Sequence, residues 1–293
     1  MNSLYRATRT SKQGFHQLLN REIKRKEEQM QMLPIIRQIR QDHPRLSCRE
    51  IYYMLKPDTM GRDRFEAFCH LQGLKLEIRR NRYRTTDSLG VIRFPNILLT
   101  LEKLTGVNQV WVSDITYFQI HGSVYYLTFI MDLYSRKIVG YNVSKTLRTE
   151  DTTLKALKMA IKDRGIKKGS LLIIHSDGGG QYYSNAFKQL TKAYDMLNSM
   201  AENVYDNPHA ERVNETIKNF YLVFYDPQKF EQLLWMVKKA VHLYNTEKPH
   251  QALKRLSPVL FECQIDSGLL TKTWLVNKKK KVAKKEKVYI TIN

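Results

Sequence analysis

The spacing of apolar residues divides the chain into two parts. In the first part apolar residues recur every three or four positions, which is typical of helices. This repeat predicts two helices at its start, because Pro34 interrupts it. Ser47 and Glu50 form the pattern of a capping box and begin a short helix, and another short helix follows the turn at Gly61. These two short helices predict a helix-turn-helix over about residues 46–73.

The second part, beyond residue 105, shows the alternation of strands. Three alternating segments, VWVSDITYFQI, SVYYLTFIMDLYS and RKIVGYNVSKTL, predict an antiparallel meander. A helix, a strand, a helix, a strand and a long helix beginning at Pro208 follow. The series predicts an α/β fold in which a mixed sheet is flanked by helices and an all-α region precedes it.

The composition indicates which class of molecule the protein binds. Lys and Arg number 49 against 28 Asp and Glu, a formal charge of +21, and 42% of the 293 residues are hydrophobic. A folded chain with this charge favours nucleic acid over an acidic membrane or a heparin-like polymer. The three cysteines include no CxxC pair, which argues against a disulfide framework or a cysteine zinc site. No apolar run approaches the ~20 residues of a membrane span and no signal peptide is present, so we expect a cytoplasmic protein with no membrane partner.

Three acidic residues stand where a carboxylate requires an explanation. Asp177 ends an apolar strand and precedes three glycines; a phosphate-binding loop is the alternative, but neither a Walker pattern nor GxGxxG is present. Asp114 lies inside an apolar strand, where a charge is costly unless it is paired or bound to metal. Glu211 falls in the first turn of the last helix. Such carboxylates suit Mg²⁺ or Mn²⁺, and two such ions can activate a hydroxyl and stabilise the leaving oxygen of a phosphodiester.

Five segments resemble the motifs of one known family: WVSDITYF, MDLYSRKIVGY, IIHSDGGGQY, NPHAERVNETIK and YNTEKPHQALKRLSP. In order and spacing they are similar to those of OrfB-type transposases of the insertion-sequence-three family, relatives of retroviral integrases with a DDE (rve) core. The resemblance covers about residues 46–260 and includes the predicted helix-turn-helix. It implies a ribonuclease-H-like core that cleaves and transfers DNA strands, and it assigns Asp114, Asp177 and Glu211 to the metal-binding acidic triad.

Two features depart from the family pattern. Glu215 follows Asn214 where glycine is usual, and the interval from Asp177 to Glu211 is slightly shorter than usual. Glu215 lies one helical turn after Glu211 and is assigned a supporting or solvent-facing role. Asp132 is a rival acid at a strand end, and its simpler role is to hydrogen-bond its own turn.

The predicted DNA contacts fall into three groups. One group begins the second helix of the helix-turn-helix, one lies in the basic linker, and one lies close to the three carboxylates. In chain order they are Arg62, Arg64, Arg79, Arg80, Arg82, Arg84, Gln181, His209, Arg212 and Lys218.

The expected organisation has three regions: a helical DNA-binding region with a basic linker over residues 1–95, a ribonuclease-H-like integrase core over 96–262, and a lysine-rich tail over 263–293. The resemblance implies two Mg²⁺ ions, for which Mn²⁺ can substitute, and double-stranded DNA as element ends and target. It also implies a homo-oligomer on DNA, an upstream-frame (OrfA) partner or fusion, and action at the bacterial nucleoid in the cytoplasm. The alternatives are a DNA-binding regulator with a decayed core and a ribonuclease-H-type nuclease or resolvase.

Overall fold

The computed structural model describes residues 11–76, 94–202 and 206–276. The chain separates into two compact units, Met1–Asn81 and Arg82–Asn293, and the described residues of each have their own apolar core. Within the described ranges, no helix is long and apolar enough to cross a membrane.

The described part of the first unit begins with one long helix, α1 (Lys12–Asp42), whose first turn is capped by the Ser11 hydroxyl. The predicted break at Pro34 was wrong, because α1 continues through this residue. Pro34 removes one hydrogen bond to the carbonyl of Met30. Since both residues are exposed, water can hydrate that carbonyl, and the rest of the helix is retained.

Two short helices follow, α2 (Cys48–Leu55) and α3 (Arg62–Leu71). The predicted capping box is confirmed, since the Glu50 amide donates to Ser47 Oγ at 3.2 Å and the Ser47 amide donates to the Glu50 carboxylate at 2.9 Å. Apolar side chains of all three helices form the core of this unit. They are Leu33, Ile36, Leu46, Cys48, Ile51, Met60, Phe65, Phe68 and Cys69. Six residues join α2 to α3, whereas the turn of a compact helix-turn-helix has about three or four residues.

The second unit contains a five-stranded mixed sheet, which confirms the predicted α/β class. A short strand outside this sheet, β1 (Lys103–Leu104), comes first in the chain. The strands of the sheet and the helices between them follow in the order β2 (Val110–Ile120), β3 (Ser123–Asp132), β4 (Ile138–Ser144), α4 (Thr153–Arg164), β5 (Ile173–Ser176), α5 (Asn185–Ala193) and β6 (Leu197–Met200). The strand order is β4-β3-β2-β5-β6, with β5 parallel to both β2 and β6. The predicted meander β2-β3-β4 is confirmed, and its first turn has positive φ at both His121 and Gly122, as a two-residue hairpin requires.

Several helices follow the last strand of the sheet. The helix α6 (Pro208–Glu215) continues through a π-helical segment, Thr216–Leu222, into a last α-helical turn, Val223–Tyr225. The long helix beginning at Pro208 is therefore confirmed, but its wider central turns were not predicted. The chain ends its described part with α7 (Phe230–Thr246), α8 (Pro258–Asp266) and β7 (Trp274–Leu275). Because β7 pairs with β1, ordered structure of this unit extends past residue 262.

The two faces of the sheet carry separate apolar clusters. Val112 of β2 packs in the cluster that includes α6, α7 and α8, whereas Trp111 packs in the cluster that includes α4 and α5. Side chains alternate along a strand, so Asp114 lies on the same face as Val112. The register of β2 therefore directs this carboxylate towards α6.

Candidate active site

Two of the predicted acids meet at the end of the parallel strand pair. In the register of β2 and β5, Ser113 is opposite Ser176, and the next residues along the two strands are Asp114 and Asp177. Neighbouring strands of a sheet lie about 5 Å apart. The pairing therefore brings the two carboxylate-bearing residues side by side at the carboxyl end of β5, the edge where open α/β sheets bind their ligands.

The glycines after Asp177 allow close packing. None of the three has positive φ. A Cβ on Gly178 would lie 2.7 Å from the terminal methyl of Met200, and a Cβ on Gly179 would lie 3.1 Å from Asp177 Oδ1. The Gly179 amide donates a hydrogen bond to that same oxygen at 3.2 Å. The loop thus holds the Asp177 carboxylate by the Gly179 amide, and a side chain at position 179 would crowd that carboxylate, whereas a Cβ at Gly180 would meet only ordinary contacts.

The third element, α6, lies along β2 and contacts it through one helical face. Asn207 Nδ2 donates to the Ser113 carbonyl at 3.0 Å, and Asn214 Nδ2 donates to Asp114 Oδ2 at 2.8 Å. Farther along, Lys218 Nζ lies 3.4 Å from Thr116 Oγ1. Residues 207, 211, 214 and 218 follow helical spacing, so Glu211 is on the same face as these contacts.

Burial raises the pKa of all three carboxylates, and repulsion adds to this effect at Asp114. Burial, followed by the negative charges of Asp177 and Glu211, raises the pKa of Asp114 to about 7, although hydrogen bonds from the Ile115 amide and from Asn214 oppose the shift. Asp177 and Glu211 each keep one side exposed, but surrounding protein displaces enough water to raise the pKa of both. In the described part of the chain no basic side chain forms an ion pair with any of the three.

The donor set fits a hard divalent cation by its chemistry. Carboxylate oxygens are the preferred protein ligands of Mg²⁺, and a cation would relieve the repulsion that raises the pKa of Asp114. Among residues 11–76, 94–202 and 206–276, however, no three His, Cys, Asp or Glu side chains are already gathered as metal ligands. Glu211 is exposed and has a long side chain, so a change of its rotamer is the movement that would complete the group.

The predicted DNA-contacting side chains near the site differ in their exposure and in their contacts within the protein. Gln181 donates to the Leu147 carbonyl at 3.0 Å. Lys218 is half-buried, and its ammonium also lies 5.0 Å from the centre of the Tyr117 ring. His209 and Arg212 are exposed and border a shallow depression that also includes Pro208, Glu211 and Glu215.

Glu215 and Asp132, the rival acids, have other partners. The Glu215 carboxylate forms an exposed ion pair with Arg212 at 2.9 Å. Asp132 is buried and accepts hydrogen bonds from the amides of Tyr134, Ser135 and Asn108 at 2.6–3.0 Å. The predicted turn-bracing role of Asp132 is therefore confirmed.

The remaining predicted contacts belong to the first unit or to the basic linker. Arg62 and Arg64 occupy the first turn of α3, where Arg62 forms an ion pair with Asp63 at 2.8 Å and Arg64 is exposed. The linker arginines lie outside the described residues; they are Arg79, Arg80, Arg82 and Arg84.

Sequence reasoning missed two polar groups that hold the acidic strands. In the sequence, Asn214 was noted only because Glu215 follows it where the family usually has glycine. In the structure, the Asn214 side chain donates a hydrogen bond to Asp114. Ser113 donates to the Phe129 carbonyl at 3.0 Å and accepts from the buried Tyr182 hydroxyl at 2.9 Å. Helical spacing from Glu211 could have indicated Asn214, whereas the Ser113 contact depends on the loop after β5.

Comparison with known proteins identifies the core. The integrase core domain family matches residues 105–204, and a second integrase core family matches residues 196–258. The 31 kDa protein of insertion element IS600 from Shigella sonnei is 31% identical over 206 residues, 69% of this chain and 75% of that protein. The transposase of IS904 from Lactococcus lactis is 30% identical over 206 residues, 68% of this chain and 79% of that protein. The HTLV-2 integrase catalytic core, solved with magnesium, has a TM-score of 0.44 and 22% identity, and covers 53% of this chain and 96% of that chain.

The fold and the matched families define an integrase-type catalytic core, which confirms the ribonuclease-H-like class implied by the motifs. The chain belongs to the insertion-sequence transposases of the IS3 type. It is accordingly a transposase of the polynucleotidyl transferase class, as the motifs predicted.

Proposed function

We propose that Asp114, Asp177 and Glu211 are the catalytic carboxylates with which this transposase cleaves DNA strands at the element ends and transfers them to target DNA. One observation carries the proposal: β2 and β5 present two acids side by side, and α6 holds one of them through Asn214. Water or a DNA 3′-hydroxyl attacks the phosphorus and the bond from phosphorus to the leaving strand oxygen breaks. The proton of the nucleophile passes to solvent, and the leaving oxygen takes a proton from solvent to become a hydroxyl.

The chain's own groups would prepare this site for divalent cations. Each Asp114 oxygen accepts one hydrogen bond, from the Ile115 amide or from Asn214 at 2.8 Å, which orients the carboxylate and leaves a lone pair of each oxygen for a cation. Asp177 and Glu211 would complete the ligand set. Bound Mg²⁺, or Mn²⁺ in its place, would supply positive charge at the attacking and leaving oxygens, and we propose two ions.

DNA would approach across the depression beside α6. His209 and Arg212 border it, and Gln181 lies in the loop that follows Asp177. Arg62, Arg64 and the linker arginines would hold the element end. We propose a homo-oligomer on double-stranded DNA, acting in the bacterial cytoplasm at the nucleoid, with an upstream-frame protein as partner or fusion.

The decisive experiment follows cleavage and joining of a labelled duplex that carries the element's terminal repeat. We compare wild type with Glu211→Gln, and we use Glu215→Gln as the matched control because it removes an equal charge one helical turn away. We expect Mg²⁺-dependent nicking or joining in wild type and Glu215→Gln, and a loss of at least about a hundredfold in Glu211→Gln.

The alternatives predict other patterns. Equal loss in both variants would refute the assignment of Glu211. Binding of the terminal repeat without chemistry, under Mg²⁺ and Mn²⁺ alike, would favour a regulator that acts by occupancy. Chemistry restored by the upstream-frame protein would show that this chain needs that partner.

A further inference from the structure

A basic surface lies on the sheet face opposite α6. An open groove runs between α4 and α5, with Lys158 and Lys162 on its α4 side. Its floor consists of Ile161, Ile166, Leu190 and Tyr194, of which Ile161 is buried and the others are partly buried. We call it the α4–α5 groove. It is separate from the depression beside α6.

Lysines follow α4, the helix that forms one side of the groove. They occupy positions 155, 158 and 162. Residues three or four apart share a helical face and have Cβ atoms about 5–6 Å apart, so α4 carries a row of lysines. All three are exposed. Lys155 forms an ion pair with Asp151 at 3.0 Å, and within the described ranges no carboxylate pairs with Lys158 or Lys162.

Helix stability alone explains only part of this pattern. Cations are favourable in the last turn of a helix, which accounts for Lys162, and the ion pair with Asp151 offsets the charge of Lys155 in the first turn. Lys158 lies in the middle of α4 and has neither explanation. Its position beside Lys162 at the groove favours binding of an external anion.

The row of lysines on α4 begins near the candidate active site. Gln181, in the loop after Asp177, donates to the Leu147 carbonyl at 3.0 Å, and Leu147 shortly precedes α4. Since α4 has 12 residues, it extends about 18 Å away from that end. At about 3.4 Å per base pair, this length corresponds to roughly five base pairs of duplex DNA.

We propose that the α4–α5 groove binds the phosphate backbone of duplex DNA within about five base pairs of the active-site end of α4. The proposal rests on the proposed function, because it takes DNA as the substrate of that site. Two neighbouring unpaired cations, Lys158 and Lys162, match successive phosphates of a polyanion, and the apolar floor supports the aliphatic stems of the lysines. DNA leaving the active-site edge would thus continue across the opposite face of the sheet.

The test measures DNA binding without chemistry. All proteins carry Glu211→Gln, and dissociation constants for a labelled duplex of about 30 base pairs are measured over a series of KCl concentrations. The groove variant is Lys158→Gln with Lys162→Gln. The matched control is Lys238→Gln with Lys254→Gln, two exposed lysines outside the groove that change the net charge equally.

Each lost phosphate contact should reduce the slope of log affinity against log salt concentration by about 0.9. We expect the groove variant to lose about one to two in slope and about tenfold in affinity at low salt, while the control keeps the slope of its parent. Lys158→Arg with Lys162→Arg should restore the slope, because arginine also contacts phosphate. Melting temperatures within about one degree of the parent would show that the variants are folded.

An unchanged slope in the groove variant, or an equal fall of the slope in the control, would overturn the proposal. An unchanged slope is the result expected if the groove binds an acidic protein instead of DNA. The outcome is independent of catalysis. An active enzyme whose groove variant keeps its slope refutes only the groove, and an inactive enzyme whose groove variant loses slope refutes only the catalytic assignment.

Discussion

Asp114 shows how a single residue can oppose folding in the absence of a ligand. On β2 it follows four buried residues, Val110 to Ser113, and its charge is opposed by burial and by two other carboxylates. Among the residues that the structure describes, only the Ile115 amide and Asn214 donate hydrogen bonds to its carboxylate. A residue retained at this cost is expected to serve a function that outweighs it.

Asp114→Asn should therefore stabilise the metal-free protein above pH 7. The folded pKa of about 7 exceeds the unfolded value of about 4, so the protonated form favours folding, and this contribution is lost as pH rises through about 7. The full difference corresponds to roughly 4 kcal/mol at most, because partial exposure screens the charge. In EDTA, thermal unfolding should show the variant several degrees more stable than wild type at pH 8. At pH 4 the advantage should vanish. An equal difference at both pH values would contradict the argument.

Stabilisation of the folded protein by Mg²⁺ should require the Asp114 carboxylate, although that carboxylate destabilises the metal-free protein. A ligand that binds only the folded state at about a hundred times its dissociation constant stabilises it by about 2.7 kcal/mol. At pH 8, Mg²⁺ should raise the melting temperature of wild type and of Glu215→Gln but leave that of Asp114→Asn unchanged. A rise in all three proteins would indicate that the ion binds elsewhere.

These residues also mark how much of the site could be predicted from sequence. Asp114 and Asp177 could be found because a carboxylate in or after an apolar strand requires compensation, and the family motifs supplied Glu211. The side chains that hold the site were not predicted, because their contacts depend on register. Asn214 reaches Asp114 only when α6 lies along β2, and Tyr182 reaches Ser113 only when the glycine loop folds back. No local pattern specifies either distance.

At the scale of elements, helix starts were predictable and helix interiors were not. The capping box at Ser47 and the start of α6 at Pro208 are local signals, and both are confirmed. Continuity through Pro34 and the π-helical segment from Thr216 to Leu222 are not local. The latter buries Ile217, Tyr221 and Leu222 together, so packing of the whole unit, rather than propensity, sets those turns.

The first turn of α3 offers a test of the predicted DNA-reading helix. Arg64 is exposed, whereas the Arg62 guanidinium is engaged by the adjacent Asp63 at 2.8 Å. Arg64→Ala should weaken binding of the terminal repeat by about 1–3 kcal/mol if this side chain reads a base, and Arg62→Ala should weaken it less. Binding assays with the repeat and with unrelated DNA measure this. An equal loss on both DNAs would reduce Arg64 to a phosphate contact.

At the scale of the whole molecule, two units with separate cores favour a division between recognition and chemistry. The candidate carboxylates and their hydrogen-bond partners all lie in the second unit. The fragment 94–276 should therefore keep the stabilisation by Mg²⁺ but bind the terminal repeat no better than unrelated DNA. The full chain should prefer the repeat at least about tenfold. If the fragment discriminates as well as the full chain, recognition resides in the core, and α2 and α3 serve another purpose.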